Sequence, residues 1–282
     1  MSEAERTAGQ GSERLVVKVG GEVIAEDATR ARVARDVAAL VGLGHRVFVV
    51  HGGGPQATAL QKRLGQEPRI VGGRRITDAA ALEVMKQSVA GAVNVDLVSA
   101  LCAAGLRAVG LAGVSAGLVL ARRRPPVVVP GAGEEPIDLG LVGDVVSVNA
   151  DLLRSLSDAG YLPVVSCLGG DAKGAVYNIN ADVVAGEVAV ALRAHRLLHL
   201  TGTPGVLRDP RDPSTRFARL SPQVARDAIA AGQIRGGMIP KVLESLARLD
   251  GRLAIHILSA QTEGGLLAEV SHPGSVGTVF ER

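Results

Sequence analysis

One stretch constrains the fold more than any other: a short apolar, β-branched run, 47–50, is followed by a histidine and then by three glycines, 52–54. The run is too short for a buried helix, and its valines favour a buried parallel strand. Pro55 follows, and proline is favoured in the first turn of a helix. The glycines would leave backbone N–H groups bare at that helix start, which attracts a carboxylate or phosphate. A tight turn that needs glycine only for its dihedrals is the alternative.

A second junction of the same kind lies near the start of the chain. Residues 15–19 form an apolar run that contains Lys18 and ends at Gly20 and Gly21. A lysine in a buried strand is costly unless its ammonium meets an anion, so Lys18 is either a phosphate ligand or a lysine that snorkels from the strand end. A helical pattern over 27–43 completes a βαβ unit. Because parallel sheets bind ligands at the carboxyl ends of their strands, both glycine loops are expected to face one ligand.

Composition restricts the class of protein. The 282 residues are 47% hydrophobic and 21% charged, which is ordinary for a soluble globular enzyme of one or two domains. The net charge is only +3, the basic residues are scattered and aromatics make up 2%, so no nucleic-acid partner is expected. No apolar run approaches the ~18 residues of a membrane span. Cys102 and Cys167 are interpreted as reduced core thiols, and a cytoplasmic location is predicted.

Arginines in the first half of the chain are candidate anion ligands. Arg75 follows a predicted hairpin and precedes a helix whose caps are Thr77 and Asp78. One of the two neighbouring arginines, Arg74 or Arg75, could bind a carboxylate with two hydrogen bonds, or the two could be a solvated charge pair. Residues 110–148 read as short hairpins that form a flap or edge, and the arginines at 122–124 are interpreted as a solvated turn.

Polar groups of the second half extend the pattern. Asn178, Asn180 and Asp182 alternate along the chain, so on an extended strand they would point to the same side; helix capping is the alternative. Lys241 falls in the first turn of a predicted helix, where the dipole disfavours a cation unless an anion is near. Another strand, 197–201, ends in a further glycine loop.

The sequence lacks a Ser-His-Asp spacing, a metal-ligand cluster and a Walker motif, so no protein-built metal site is expected. Glycine loops at strand ends, with lysines beside two of them, suit phosphoryl transfer, in which positioning and charge neutralisation supply most of the catalysis.

In this order and at these spacings, the motifs resemble those of the amino acid kinase family. The resemblance spans residues 15–280 and rests on five motifs, Lys18-Val19-Gly20-Gly21, His51-Gly52-Gly53-Gly54-Pro55-Gln56, Arg75-Ile76-Thr77-Asp78, Asn178-Ile179-Asn180-Ala181-Asp182 and Gly237-Met238-Ile239-Pro240-Lys241. It implies an α/β fold, a three-layer αβα sandwich with a mainly parallel open sheet. A flexible tail, 1–14, would precede an N-terminal lobe for an acyl amino acid, 15–170, and a C-terminal lobe for ATP, 171–282.

The resemblance also implies a reaction, transfer of the ATP γ-phosphoryl group to the side-chain carboxylate of N-acetyl-L-glutamate in arginine biosynthesis. Mg²⁺ would arrive with the nucleotide. Lys18 and Lys241 would neutralise charge, and Asp182 would hold both lysines. The acceptor carboxylate and the phosphoryl oxygens would accept hydrogen bonds from the backbone N–H groups of Gly20, Gly21, Gly53 and Gly54. The rest of the acceptor would contact Arg75 and Asn178, and the nucleotide would contact Gly202, Thr203, Gly205 and Gly237.

Three departures from the family pattern carry expectations of their own. Gly202 stands where the family usually has Asp, which affects ATP binding, and Gly113-Val114-Ser115 replaces a usual Gly-Lys-Asp near the flap. The tail and the segment 271–275 differ from those of arginine-inhibited members. The sequence therefore predicts weak or no feedback inhibition and a homodimer rather than a ring-shaped hexamer.

Three other functions are alternatives. An N-acetylaminoadipate kinase differs by one acceptor methylene, which is worth only ~1–3 kcal/mol of discrimination. A ligand-binding regulatory member without turnover is favoured only by Gly202, and Lys18, Asp182 and Lys241 oppose it. A Rossmann dehydrogenase is disfavoured because no GxGxxG follows a strand.

Overall fold

The computed structural model describes residues 11–129, 132–236, 238–249 and 251–281. In chain order its strands are β1 (Arg14–Val19), β2 (Arg46–His51), β3 (Ile70–Val71), β4 (Arg74–Arg75), β5 (Ala108–Ala112), β6 (Val119–Arg123), β7 (Gly143–Val148), β8 (Leu162–Ser166), β9 (Leu168–Gly170), β10 (Val176–Asn178), β11 (Arg196–Thr201), β12 (Arg219–Leu220), β13 (Ala254–Ser259) and β14 (Thr278–Phe280). Its α-helices are α1 (Asp27–Gly42), α2 (Gly54–Arg63), α3 (Ala79–Met85), α4 (Asn94–Ala103), α5 (Ala150–Asp158), α6 (Ala181–Ala191), α7 (Pro222–Ala230), α8 (Met238–Ala247) and α9 (Gly265–Ser271).

An eight-stranded sheet forms the centre of the molecule, in the order β12-β14-β13-β11-β1-β2-β8-β5. All neighbouring strands run parallel except β13 and β14, which pair antiparallel. The strands of the two predicted lobes form separate halves of this one sheet, β12, β14, β13 and β11 on one side and β1, β2, β8 and β5 on the other, and the halves meet where β11 pairs with β1. The mainly parallel open sheet is therefore confirmed, and the two lobes share it.

Alternate residues of the central strands pack against different helices, which gives the molecule three layers. On β1, Leu15, Val17 and Val19 belong to a core with residues of α1, α4 and α9. Val16 belongs to a second core with residues of α2, α5, α6 and α8. All four side chains are fully buried. A strand with helices on both faces must be apolar on both sides, which explains the continuous hydrophobic runs in the sequence.

A second sheet of four strands, β10-β9-β6-β7, explains most of the predicted flap. The β6–β7 hairpin was expected, whereas β9 and β10 lie outside the predicted flap, and Asn178 at the end of β10 was predicted only as part of a polar site. Asp171 organises the connection between these two strands by accepting hydrogen bonds from the N–H groups of Lys173 and Ala175, each at 2.9 Å. A lobe boundary between 170 and 171 therefore falls inside a hairpin.

Two further segments are the connection between α3 and α4 and the predicted tail. The chain between α3 and α4 forms a π-helical segment, Lys86–Val93, with a non-helical Gly91. Residues 1–10 of the predicted tail lie outside the described residues, but Glu13 and Arg14 are structured, since β1 starts at Arg14 and Glu13 pairs with Arg196 at 2.8 Å. Within the described ranges, no helix is long and apolar enough to cross a membrane.

Candidate active site

The two glycine loops predicted to face one ligand touch each other at the carboxyl ends of β1 and β2. The N–H of Gly52 donates to Val19 O at 3.1 Å, and the Gln56 side chain donates to Gly21 O at 2.7 Å. A Cβ on Gly21 would lie 2.8 Å from Pro55 Cδ and 3.1 Å from Gly53 Cα. Glycine is therefore required at 21 because another loop occupies the space of a side chain.

Free backbone donors lie where these loops meet. Helix α2 begins at Gly54, and Gly53 caps it without a side-chain hydrogen bond. The N–H groups of Gly21 and Gly53 make no hydrogen bond within the described residues. Gly20 differs, because its N–H donates to Leu200 O at 3.2 Å and continues the β1–β11 pairing. The expectation that Gly20 offers an N–H to phosphate is corrected, because the carbonyl of Leu200 on β11 already accepts the hydrogen bond from that N–H.

These loops form one wall of a cleft of about 820 Å³. Its lining includes the predicted site residues Lys18, Gly21, Gly53, Gly54, Arg75 and Asn178. It also includes Glu22, Thr58 and Lys62, which the sequence reasoning left out, Arg74, which it considered together with Arg75, and Arg124, which it assigned to a solvated turn. The cleft is large enough for a small polar metabolite, and it is predominantly cationic.

Asp182 joins the two predicted catalytic lysines. Its Oδ1 lies 2.9 Å from Lys18 Nζ, and its Oδ2 lies 3.2 Å from Lys241 Nζ. Burial alone would raise the pKa of Asp182, but Lys18, His199 and Lys241 hold that pKa well below its usual range. The carboxylate is therefore ionised, and it brings together two ammonium groups from distant parts of the chain.

The local conformation around Asp182 differs from the extended strand predicted for 178–182. Asn178 ends β10, whereas Asn180 is the N-cap of α6 and its side chain accepts a hydrogen bond from the N–H of Asp182 at 2.9 Å. Asp182 stands in the first helical turn. The capping alternative is therefore correct for Asn180, and it is the cap that places Asp182.

Arg75 and Asn178, predicted to bind the acceptor, lie on the same cleft. Arg75 donates to Gly54 O at 3.0 Å, to Thr58 Oγ1 at 2.6 Å and to Gln61 Oε1. Burial lowers the pKa of Arg75 from its usual value. Asn178 Nδ2 donates to Thr77 Oγ1 at 3.1 Å, so its amide oxygen is left for other partners.

Arg124 was assigned to a solvated turn, and the structure corrects this. Arg122 and Arg123 are exposed, but the Arg124 side chain is only 13% exposed and lines the cleft. Its Nε donates to Asp144 Oδ1 at 2.7 Å. The pairing follows from the β6–β7 hairpin, and no motif at 122–124 distinguishes the three arginines.

His51 has a structural position beneath the glycine loop. It is fully buried; Nδ1 lies 2.8 Å from Gly52 O and Nε2 lies 2.8 Å from Asn94 Nδ2. Burial lowers its pKa to about 4. The neutral ring thus donates from Nδ1 and accepts at Nε2, which connects β2 to α4.

The predicted nucleotide loop, 202–205, lies outside the lining of the cleft. Within this loop, the N–H of Thr203 donates a hydrogen bond to Thr201 Oγ1 at 3.1 Å. Gly205 has φ +144, and a Cβ there would lie 2.5 Å from Thr278 Oγ1, so packing against β14 explains this glycine. An added Cβ at Gly202 would have no described atom within 4 Å, so crowding by the described residues does not explain why the usual Asp is absent there. Gly237 lies outside the described residues.

Among the residues that the structure describes, the site offers no protein cage for a metal ion. No group of three or more His, Cys, Asp or Glu side chains within the described ranges is placed to hold one. The Asp182 carboxylate already contacts two ammonium groups. A divalent ion would therefore need the phosphate oxygens of a nucleotide as its main ligands.

Comparison with known proteins agrees with this geometry. The amino acid kinase family model matches residues 13–259. The chain is 53% identical over 268 residues to an acetylglutamate kinase from Anaeromyxobacter dehalogenans, covering 95% of this chain and 99% of that protein. An acetylglutamate kinase from Sorangium cellulosum is 52% identical over 267 residues, covering 94% of each chain.

A solved structure has the same architecture. It is that of N-acetylglutamate synthase from Neisseria gonorrhoeae complexed with coenzyme A and N-acetyl-glutamate, with a TM-score of 0.81 and 27% identity. The match covers 99% of this chain and 62% of the synthase chain. With the sheet, the glycine loops and the lysine pair in place, the chain belongs to the amino acid kinase family.

Proposed function

We propose that this protein transfers the γ-phosphoryl group of ATP to the side-chain carboxylate of N-acetyl-L-glutamate, forming an acyl phosphate and ADP in arginine biosynthesis. The names of the curated relatives support this activity. The observation that carries it is the Asp182 carboxylate between Lys18 and Lys241, with Lys18 on the wall of the cleft. Two ammonium groups beside an acceptor cleft suit a reaction that moves a highly charged group.

Each residue of the site has a part in this proposal. Lys18 and Lys241 offset negative charge on the transferring phosphoryl group and on the leaving phosphate. Asp182 fixes both lysines. The N–H groups of Gly21 and Gly53 point donors at the acceptor carboxylate and at the phosphoryl oxygens. No covalent enzyme intermediate is needed, because the acceptor oxygen attacks the phosphorus directly.

The charge of the cleft agrees with an acceptor that carries two carboxylates. Arg75 and Arg124 lie on its lining and are held by neighbouring side chains, so their guanidinium groups are preorganised. Asn178 supplies a polar contact for the acyl amide. N-acetyl-L-aminoadipate is the second candidate acceptor, since its extra methylene is worth only ~1–3 kcal/mol.

Mg²⁺ is part of the proposal as an ion carried by the nucleotide. When bound, it supplies further neutralisation of the phosphate oxygens. The ammonium groups of Lys18 and Lys241 act on the same charge from the protein side.

Two properties of the whole protein belong to the proposal. Cys102 and Cys167 are free, which is typical of a reducing compartment, and a cytoplasmic location is inferred.

A homodimer is inferred from the sheet edge, because β5 is the last strand and the helix packed beside it, α4, exposes 62% of Val95. An open edge strand beside an exposed valine suits contact with a second copy of the chain.

The experiment that tests the function traps the acyl phosphate as its hydroxamate. ATP and Mg²⁺ are supplied with N-acetyl-L-glutamate, N-acetyl-L-aminoadipate or L-glutamate at equal concentration. The fastest turnover is expected with N-acetyl-L-glutamate. Faster turnover with N-acetyl-L-aminoadipate would make that compound the proposed acceptor in place of N-acetyl-L-glutamate. Calorimetric binding of N-acetyl-L-glutamate without turnover would replace the kinase by a ligand-binding regulatory protein.

A further inference from the structure

A histidine at the centre of the sheet, His199, contacts the carboxylate that holds the two lysines. It lies on β11 and is only 9% exposed. In the parallel pairing of β1 and β11, His199 is the register partner of Lys18. Side chains at one register position of neighbouring strands lie on the same face of the sheet. Here that face is covered by α6, which carries Asp182.

The geometry places three nitrogens around one carboxylate. His199 Nδ1 lies 3.3 Å from Asp182 Oδ1, the same oxygen that Lys18 approaches at 2.9 Å. The other oxygen, Oδ2, lies 3.2 Å from Lys241 Nζ. His199 therefore meets Asp182 on the side opposite to Lys241.

The charge state of His199 follows from its surroundings. Burial lowers its pKa from the usual value, Asp182 raises it, and Lys18 and Lys241 lower it. Glu244 and Arg248 line the same narrow cavity between α8 and the sheet. The ring is therefore neutral near pH 7. A neutral imidazole has one N–H, and contact with a carboxylate requires that proton on Nδ1.

We propose that His199 is a positioning residue for phosphoryl transfer, directing its Nδ1–H at Asp182 Oδ1 across a 3.3 Å contact and limiting the rotation of the carboxylate so that Oδ2 stays directed at Lys241. The inference rests on the proposed function. A neutral donor suits this position, because a third cation beside Lys18 and Lys241 would compete with them for Asp182. Without His199 the carboxylate is free to rotate towards Lys18, and Lys241 loses its fixed partner.

The effect belongs to the chemical step and not to acceptor binding. His199 is absent from the lining of the acceptor cleft, whereas Asp182 and Lys241 both line its own cavity. Small displacements of charged groups at a reacting centre can cost up to about 100-fold in rate. We therefore expect His199→Leu to lower kcat by about 10- to 100-fold while KM for N-acetyl-L-glutamate stays within about twofold.

The matched variant is His199→Asn, whose side-chain N–H lies near the position of Nδ1. Hydroxamate turnover of the wild type, His199→Leu and His199→Asn is compared, with melting temperatures measured alongside. The Asn variant is expected to recover most of kcat. Equal rates for Leu and Asn, or a Leu variant within twofold of the wild type, would overturn the inference. Absence of turnover in the wild type would instead refute the proposed function.

A second measurement needs no turnover. Long-range ¹⁵N–¹H correlation of the histidine rings, with the His199 signals assigned by their loss in His199→Asn, reports the tautomer directly. A neutral ring with its proton on Nδ1 at pH 7 is expected. A proton on Nε2, or an imidazolium, would contradict the donor role whatever the kinetics show.

Discussion

At the residue scale, the proposed mechanism places its greatest demand on Lys241. Lys241→Ala removes one of the two ammonium groups held by Asp182, and the other, Lys18, is left alone to offset the phosphoryl charge. We expect kcat to fall about 100-fold or more, as for other single donors to a developing charge. Steady-state hydroxamate kinetics provide the measurement.

The control for this variant is Lys173→Ala, because Lys173 is an exposed lysine in the turn between β9 and β10. It should leave kcat unchanged. The assigned role of Lys241 is wrong if Lys241→Ala retains turnover within a few-fold of the wild type while its melting temperature is normal.

His51 makes a second residue-scale prediction, which concerns pH. The pKa of His51 is about 4 in the folded protein and about 6.5 in an unfolded chain. Between pH 4 and pH 6.5 the ring is therefore protonated in the unfolded state but neutral in the folded state. The His51 ring therefore makes its full contribution to the free energy of unfolding above pH 6.5. As the pH falls from 6.5 towards 4, the free energy of unfolding decreases by about 3 kcal/mol because of this ring. Urea unfolding of the wild type and His51→Gln from pH 8 to 4 measures it.

Other buried histidines, His199 and His256, also have lowered pKa values and add to the acid loss of stability. The informative quantity is thus the difference between wild type and His51→Gln, which should shrink as the pH falls from 6.5 to 4. The exposed His272→Gln is the matched substitution. A pH-independent difference for His51→Gln would show that the ring does not titrate as described.

At the scale of elements, the junction of the two glycine loops is a packing constraint. Gly21→Ala places a methyl group 2.8 Å from Pro55 Cδ and 3.1 Å from Gly53 Cα, so the loops must separate. We expect a stability loss of about 1–3 kcal/mol from overpacking. The acceptor kcat/KM should fall at least about tenfold because the N–H groups move. Thermal unfolding and hydroxamate kinetics measure both effects.

A glycine with free space supplies the comparison. At Gly42, the last residue of α1, an added Cβ would have no described atom within 4 Å. Gly42→Ala should leave kcat/KM unchanged and stabilise the helix by up to about 1 kcal/mol. If Gly21→Ala behaves like Gly42→Ala, the contact between the loops does not shape the site.

The strands and glycine loops were predictable because their signals are local. Valine-rich runs too short for helices mark β1, β2 and β8, and the glycines after the first two mark the loops that meet in the structure. The β9–β10 hairpin was not predictable, since it depends on Asp171 bonding across a turn. The partners of His199 and Arg124 were equally hidden, because they follow from strand pairing and not from any spacing along the chain.

At the scale of the whole molecule, the inferred dimer is open to a direct test. Val95 is 62% exposed on α4 beside the edge strand β5. For a dimer, light scattering should give the wild type a mass of twice 28.9 kDa. Val95→Glu should lower that mass to 28.9 kDa, the mass of one chain. Val224→Glu, on α7 and 46% exposed, is the matched change away from that edge and should leave the mass unaltered. A wild-type mass of 28.9 kDa would contradict the dimer.

The strand order also has a consequence for synthesis on the ribosome. β1 lies between β2 and β11, and β11 begins only at Arg196. At 5–20 residues per second, β1 waits about 10–40 s with one edge unpaired. A nascent chain in that interval carries an open strand of mostly apolar residues, the kind of edge that other chains can join. The codons before β11 are thus where slow translation would most expose this protein to aggregation, and where a chaperone would protect it most.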